Sequence, residues 1–449
     1  MKRSRRVFLK EAAHAAAAAA LTSFPLASAL AESGRRRVPP SDQLNVGVIG
    51  ANGMGWSDMQ SHLKIPGVNC VAIADVDANV LTRRSADVVA LGRAAPRTYG
   101  DYRRLIESRD VDAVIVATPD HWHCLAMADS VAAGKHVYVE KPIAHTIQEC
   151  QVMQAAAKRY SKVVQVGQWQ RSGPHYEHAI AYVRSGKLGQ IRLVKTWAYQ
   201  GWMKPVPVLP DGPPPAGVNY DMWLGPAPTR PFNPNRFHFN FRWFWDYAGG
   251  LMTDWGVHEI DIALYAMRAT APRSVIASGG KFAYPDDASE TPDTMQAVFE
   301  YDGFNMLWEH ATGIDGGPYG KPEGIAFIGN NGTLVVNRGG WEVIPETTTD
   351  GDLRKYKLDA IPFQANTDND LDLHTRNFVD AIRRNDASIL KCGIDSGAVA
   401  AINASMGNIA LKTGRKLFWN SSVNQFRGDA QANELTRASY RTGYQLPRI

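Results

Sequence analysis

The sequence predicts an α/β chain in two parts, a doubly wound parallel sheet followed by an α+β domain on a largely antiparallel sheet. Three observations predict it. Between Leu44 and Gln168, short β-branched runs alternate with amphipathic stretches, the rhythm of successive strand–helix–strand units. From Ile191 to Val336, strand-like runs follow one another across tight-turn signals such as Tyr301-Asp302-Gly303-Phe304 and Asn330-Asn331-Gly332. The 449 residues, 45% hydrophobic and 21% charged, give an ordinary globular composition with volume for more than one core.

Taken in order, the chain opens with Ser4-Arg5-Arg6-Val7-Phe8-Leu9-Lys10, an Ala-rich apolar run and Ala29-Leu30-Ala31, a small-x-small cleavage site. This resembles a twin-arginine signal over residues 1–31, which predicts export of the folded protein to the periplasm. By length alone the run also reads as a membrane anchor, but His14, Pro25 and the cleavage site favour a removed signal, leaving no membrane attachment after processing. Those 31 residues hold five Lys/Arg and one Glu, so the rest carries 44 basic against 43 acidic side chains. A balance near zero argues against nucleic-acid binding by bulk charge. Cys70, Cys124, Cys150 and Cys392 show no metal-ligand spacing and read as buried thiols, and no metal site is expected.

Strands are expected at 44–49, 69–75, 111–117, 136–140 and 163–167, with helices at 101–108, 123–133 and 146–160, bounding a first domain over 44–168. A second domain over 169–420 is expected to hold a helix near 175–185 and strands near 191–199, 273–281, 294–301, 304–312, 324–328 and 333–336. Helices at 370–384 and 395–412 follow, and a polar tail runs over 421–449. Residues 201–235 hold ten of the 26 prolines, which suits a surface loop or an arm on a neighbouring subunit.

Between the first strand and first helix, Gly50-Ala51-Asn52-Gly53-Met54-Gly55 forms a glycine turn whose amides can hold a pyrophosphate. Asn52 stands where a second glycine is usual, and Asn is the side chain that best tolerates positive φ. By itself the turn could be purely structural. Asp75, at the end of the second strand, lies where a carboxylate accepts ribose hydroxyls and repels a 2′-phosphate, so NAD is favoured. Arg83 and Arg84 lie close enough to keep NADP open.

Two further strand ends reach the carboxyl edge of this sheet. One carries Thr118-Pro119-Asp120-His121-Trp122-His123, which offers donors and a π-face; the other carries Glu140-Lys141-Pro142, whose lysine can polarise a substrate oxygen. Read alone, Lys141 could be a surface lysine beside a turn. These segments, with Gly134-Lys135-His136-Val137 and Gly249-Gly250-Leu251-Met252-Thr253-Asp254-Trp255-Gly256-Val257-His258, resemble the Gfo/Idh/MocA family of oxidoreductases over roughly residues 44–420. Departures are Asn52, and Asp120 where members often have Asn. The resemblance implies a Rossmann domain and a C-terminal open sheet, bound NAD or NADP, and a small-molecule carbohydrate or cyclitol substrate. It also implies a homo-oligomer, dimer or tetramer, built through that sheet.

Asp254 and His258 are four apart on a predicted helix whose buried stripe is Val257, Ile260, Leu264 and Met267, which puts Asp261 and Tyr265 on their face. There His258 can accept a carbinol proton, Asp254 can position a partner, and Lys141 can stabilise an alkoxide. The bland alternative is an N-capping Asp and a core His. Just upstream, the aromatic run Phe237 to Tyr247 includes His238, Arg242 and Trp243, which could hold a pyranose or sit in a core; Gln168, Trp169 and Arg171 fall nearby by topology. The expected function is oxidation of a secondary hydroxyl of a sugar or glycoside with a retained cofactor. Alternatives are a redox-neutral glycosidase that oxidises a ring carbon transiently, and a non-catalytic sugar or dinucleotide sensor.

Overall fold

Short runs rich in Val, Ile and Ala form five of the six strands of the first sheet, buried on both faces, which is why they read as continuous apolar segments. The structure, a computed structural model, describes residues 42–449; the signal expected over residues 1–31 lies outside the described residues. The first sheet is built from β1 (Leu44–Ile49), α1 (Gly53–Leu63), β2 (Val68–Ala74), α2 (Ala78–Ala90), β3 (Arg97–Tyr99), α3 (Tyr102–Ile106), β4 (Ala113–Val116), α4 (Asp120–Ala132), β5 (His136–Val139), α5 (Ile147–Tyr160) and β6 (Val164–Val166). Its order is β3-β2-β1-β4-β5-β6, with every pair parallel. The sequence reading lacks α2 and β3 because α2 buries only Val80 and Val88 and β3 has three residues. The four cysteines are buried and unpaired.

A 3-10 turn, Trp169–Ser172, leads into α6 (Pro174–Arg184), β7 (Ile191–Gln200), α7 (Tyr220–Leu224), α8 (Gly250–Asp254) and α9 (Gly256–Met267). Then follow β8 (Ser274–Gly280), β9 (Thr294–Tyr301), β10 (Phe304–Thr312), β11 (Glu323–Gly329), β12 (Gly332–Asn337), β13 (Gly340–Pro345), the hairpin β14 (Thr347–Asp350) and β15 (Leu353–Tyr356), and β16 (Ile361–Ala365). The chain ends through α10 (Asp370–Arg384), α11 (Ile394–Thr413), β17 (Leu417–Asn420), β18 (Gln425–Phe426) and α12 (Ala430–Glu434). The second sheet has ten strands in the order β16-β13-β12-β11-β7-β10-β9-β8-β17-β18, antiparallel except where β7 lies beside β10. Its inner face packs Trp308, Phe299 and Phe327 against α6, α9 and α11.

Three expectations change. The Asp254–His258 helix is two helices, interrupted at Trp255, and α9 is buried nearly all round rather than amphipathic. Residues 421–449 do not trail away as a polar tail, because Tyr444 packs edge-on to Trp122 and the Tyr440 hydroxyl donates to Glu149 Oε1 at 2.6 Å. The proline-rich segment lies on its own chain as a strap, where Asn219 N donates to Val76 O and Ala78 N to Gly217 O. After the second sheet, α10 and α11 return to the first, with Phe378 and Val379 buried beside Val46, and Ala398 and Ala401 beside Val164.

Candidate active site

The carboxyl edge of the parallel sheet opens into a cavity of about 450 Å³. Four strand ends supply its floor: Gly50 after β1, Asp75 after β2, Ala117 to Pro119 after β4, and Glu140-Lys141 after β5. Gly50 has φ of 82° and a Cβ there would meet Ala117 O at 2.7 Å, so only glycine fits. Gly53 is open to the cavity, and α1 begins without a side-chain cap, so its first amides are not closed off. Gly55 does not line the cavity. Its Cα lies against the Gly50 carbonyl, where a Cβ would come within 2.0 Å, so it serves the packing of helix on loop.

Asp75 is fixed by two backbone donors, Ala51 N to Oδ2 at 2.9 Å and Asp77 N to Oδ1 at 3.0 Å. Arg83 and Arg84 both donate to Asn52 Oδ1, at 3.1 and 3.4 Å, and Asn52 is extended with φ of −93°, so the positive φ for which Asn is suited is not used here. An open helix start, a glycine no side chain could replace and a carboxylate at the β2 end fit a dinucleotide.

The deeper half joins the two domains. Lys141 Nζ donates to Asp254 Oδ1 at 3.0 Å and to its carbonyl at 2.9 Å, and Arg242 Nε donates to the same Oδ1 at 3.1 Å. The break at Trp255 leaves that carbonyl free for Lys141. Burial would raise the Asp254 carboxyl, but Lys141 and Arg242 outweigh it and hold it down at about 2. Asp120 and Glu140 go the other way, pushed up by burial to about 8 and about 7. His258 is buried with Nδ1 unpartnered, between the rings of Trp169 and Trp255 at 5.9 and 6.3 Å. Burial, then the charges of Lys141 and Arg338, keep its pKa well below the usual value, so the imidazole is neutral at pH 7.

Gly50, Asn52, Gly53, Met54, Asp75, Thr118, Pro119, His123, Glu140, Lys141, Trp169, His238, Arg242, Asp254 and His258 all line this cavity. His121 does not; its Nε2 faces Trp223 O at 3.1 Å under the strap. His123 lines the wall, but both nitrogens lie 2.7 Å from carbonyls, of Pro142 and Thr118, so it ties two loops together. Gln168 is turned away to donate to Val257 O, and Trp243 is buried in the strap's own core. Arg171 does not line the cavity; it forms a buried two-bond ion pair with Asp261, 2.7 Å each, and Asp261 does not line it either. His238 contacts Asp77 Oδ2 at 3.1 Å, which places it at the Asp75 end of the cavity rather than beside Asp254.

Sequence reasoning missed Trp202, Met222 and Trp223 of the strap, and Arg338 from the β12–β13 turn. An Asn-Arg-Gly-Gly turn nearly 200 residues from Lys141 gives no local signal, whereas the aromatic density of the strap could have suggested a wall.

Two models of one oxidoreductase family match the chain: its NAD-binding Rossmann fold over residues 44–168 and its C-terminal α/β domain over residues 188–307. A glycosyl hydrolase family 109 protein of Shewanella putrefaciens is 33% identical over 157 residues, 34% of this chain and 34% of that protein. The chain thus spans about a third of the length of that curated relative. In fold it is similar to levoglucosan dehydrogenase in complex with NADH and levoglucosan, with a TM-score of 0.62, 18% identity and coverage of 84% of this chain and 99% of that one. It is also similar to the aldose-aldose oxidoreductase of Caulobacter crescentus, with a TM-score of 0.60, 19% identity and coverage of 84% and 99%.

Proposed function

We propose, for a chain that belongs to the Gfo/Idh/MocA family of oxidoreductases and carries its NAD-binding Rossmann fold, the oxidation of a secondary hydroxyl of a sugar or glycoside. The carrying observation is the meeting of Lys141, from the β5 edge, with Asp254 of the second domain beside a neutral His258, in the cavity that the glycine loop and Asp75 also line. His258 takes the hydroxyl proton on Nε2, the nitrogen left to the cavity by the burial of Nδ1. Lys141 stabilises the oxygen as negative charge develops, and Asp254, ionised throughout the physiological range, fixes the lysine from across the domain boundary. NAD, when bound, supplies the hydride acceptor. Trp202 and Trp223 of the strap and Phe239 just after it line the cavity, flat faces suited to a sugar ring.

Lys141→Ala and His258→Ala should each lower the rate about 10²- to 10⁴-fold with NAD still bound, the usual range for acid–base groups. The double variant should lose less than the product of the two; fully multiplied losses would assign the residues to separate steps.

A redox-neutral glycosidase is the second reading, favoured by the partial match to the family 109 hydrolase. There oxidation at a ring carbon acidifies the neighbouring C–H, the glycosidic substituent is eliminated, and the hydride returns after water adds. Incubation with glycosides separates the readings: accumulating NADH and an intact glycoside marks the oxidoreductase, whereas a released aglycone without NADH marks the glycosidase. The Arg5-Arg6 segment supports export by the twin-arginine route with cofactor already loaded. Mass spectrometry of denatured protein should then find NAD released from it, and Arg5→Lys with Arg6→Lys should leave unprocessed chain in the cytoplasm.

A further inference from the structure

Of the cations Lys141, Arg242 and Arg338 in the cavity, the first two are committed to Asp254. Arg338 has no carboxylate within ion-pairing distance among the described residues, and its Nη1 has no hydrogen-bond partner there. Its guanidinium is nevertheless held in a defined plane. The central carbon lies 4.4 Å from the Trp169 ring and 4.3 Å from the Trp255 ring, while Nε and Nη2 make long contacts of 3.4 and 3.3 Å to Gln170 Oε1.

The turn that carries it is pinned by Gly339 N donating to Asn337 Oδ1 at 3.0 Å and by Asn366 Nδ2 donating to the Arg338 carbonyl at 3.2 Å. Burial raises the nearby carboxyls of Glu259 and Glu323 although Arg338 acts to lower both, and neither carboxyl forms an ion pair with the guanidinium. Stacking on two indoles stabilises a cation without occupying its hydrogen-bonding edge.

We propose that Arg338 is a carboxylate-binding subsite, and that the substrate is an acidic sugar, a uronic acid or glycosiduronate, whose carboxylate pairs with Arg338 while a ring hydroxyl meets His258. This rests on the sugar-oxidising reading of the cavity. Trp169 and Trp255 each contact both Arg338 and His258, which puts the two side chains at the same end of the cavity, within reach of one sugar. A single planar fork matches a planar monoanion; a phosphate would want a second cation beside Arg338, and Arg242 pairs with Asp254 while Lys141, also paired with Asp254, serves the reacting hydroxyl. A neutral sugar would bury the guanidinium without a partner, which is the physical basis of discrimination.

The test titrates the full chain with methyl glycosides of glucuronate and galacturonate, their glucose and galactose counterparts, and glucose 6-phosphate. Binding is read by tryptophan fluorescence and calorimetry. At least one acidic glycoside should bind about tenfold or more tightly than its neutral counterpart, a difference of about 1.4 kcal/mol. Arg338→Gln should erase that preference without weakening the neutral sugar, and Arg338→Lys, which keeps charge but loses the fork, should retain part of it. Equal affinity for acidic and neutral sugars, tighter binding of glucose 6-phosphate, or an equal loss for both sugars in Arg338→Gln would overturn the proposal. Cofactor absorbance, read separately, keeps the two readings apart. An acidic glycoside that binds through Arg338 without producing NADH leaves the subsite standing and counts against sugar oxidation; NADH from neutral sugars alone does the reverse.

Discussion

Asp120 shows how one side chain can carry two descriptions. It stands where the family resemblance leads one to expect Asn, and burial raises its carboxyl to about 8, so at neutral pH it is mostly a neutral acid with the shape of an amide. The folded chain keeps a proton that the unfolded chain gives up near the ordinary value of 3.8, so this group's contribution to stability falls as pH rises from there to about 8 and is constant above. Asp120→Asn should therefore raise the melting temperature more at pH 8 than at pH 5, and equal gains at both would remove Asp120 as the cause. Asp254 has the opposite sign: its folded value of about 2 gives stability present above 3.8 that is lost as pH falls through 2. At the other end of the cavity, Asp75→Ala removes a ribose acceptor together with the repulsion of a 2′-phosphate. Equilibrium binding should show NAD weakened more than NADP; equal losses would mean that Asp75 does not contact the ribose.

At the scale of elements, contacts between helix and loop decide what the glycine turn can do. A Cβ at Gly55 would stand 2.0 Å from the Gly50 carbonyl, a backbone atom that cannot yield without opening the loop. Gly55→Ala should thus lower both thermal stability and NAD affinity, although Gly55 does not line the cavity; unchanged NAD affinity would show that the loop absorbs the methyl elsewhere. The C-terminal segment makes a comparable contact. Glu149 caps α5 through a reciprocal box with Thr146, and its Oε1 is held by Tyr440. Tyr440→Phe leaves that buried oxygen unpaired and should cost about 1–3 kcal/mol in denaturant unfolding, the desolvation penalty of an orphaned acceptor. A variant as stable as the parent would show that water replaces the hydroxyl.

Across the whole molecule the two sheets share elements rather than meeting only at a cleft. Chain order puts α10 and α11 after the second sheet, yet Phe378 is buried against β1 and β5 side chains, and α11 packs Ala398 and Ala401 by β6 while Met406 and Ile409 enter the second core. The described domains should consequently unfold in one transition. Phe378→Ala, which empties a fully buried site at about 3–5 kcal/mol, should shift that transition intact. Calorimetry resolving two transitions, only one of them moved by the substitution, would contradict this coupling.

Local chemistry determined much of this from the sequence alone. His258 was legible only through its spacing from Asp254 and the family resemblance, whereas Gly50 to Gly53, Asp75 and Lys141 were legible because a parallel strand ends where its β-branched run ends, and its last residues must reach the sheet's carboxyl edge. The turn-linked strands were legible for the same reason, each turn signal and its flanking strands lying within a few residues. What only the tertiary structure decided depends on partners far apart in the chain. Arg171 read as a site residue until its buried pairing with Asp261 withdrew it, and His258 acquired its unpartnered nitrogen only once α9 was enclosed. Residues 421–449 are polar by composition, yet Tyr440 and Tyr444 anchor them, because two aromatic side chains with the right neighbours outweigh a polar average. Arg338 is the extreme case: nothing near it in sequence marks a site, and its meaning comes from Trp169 and Trp255, which only folding brings to either side of its guanidinium.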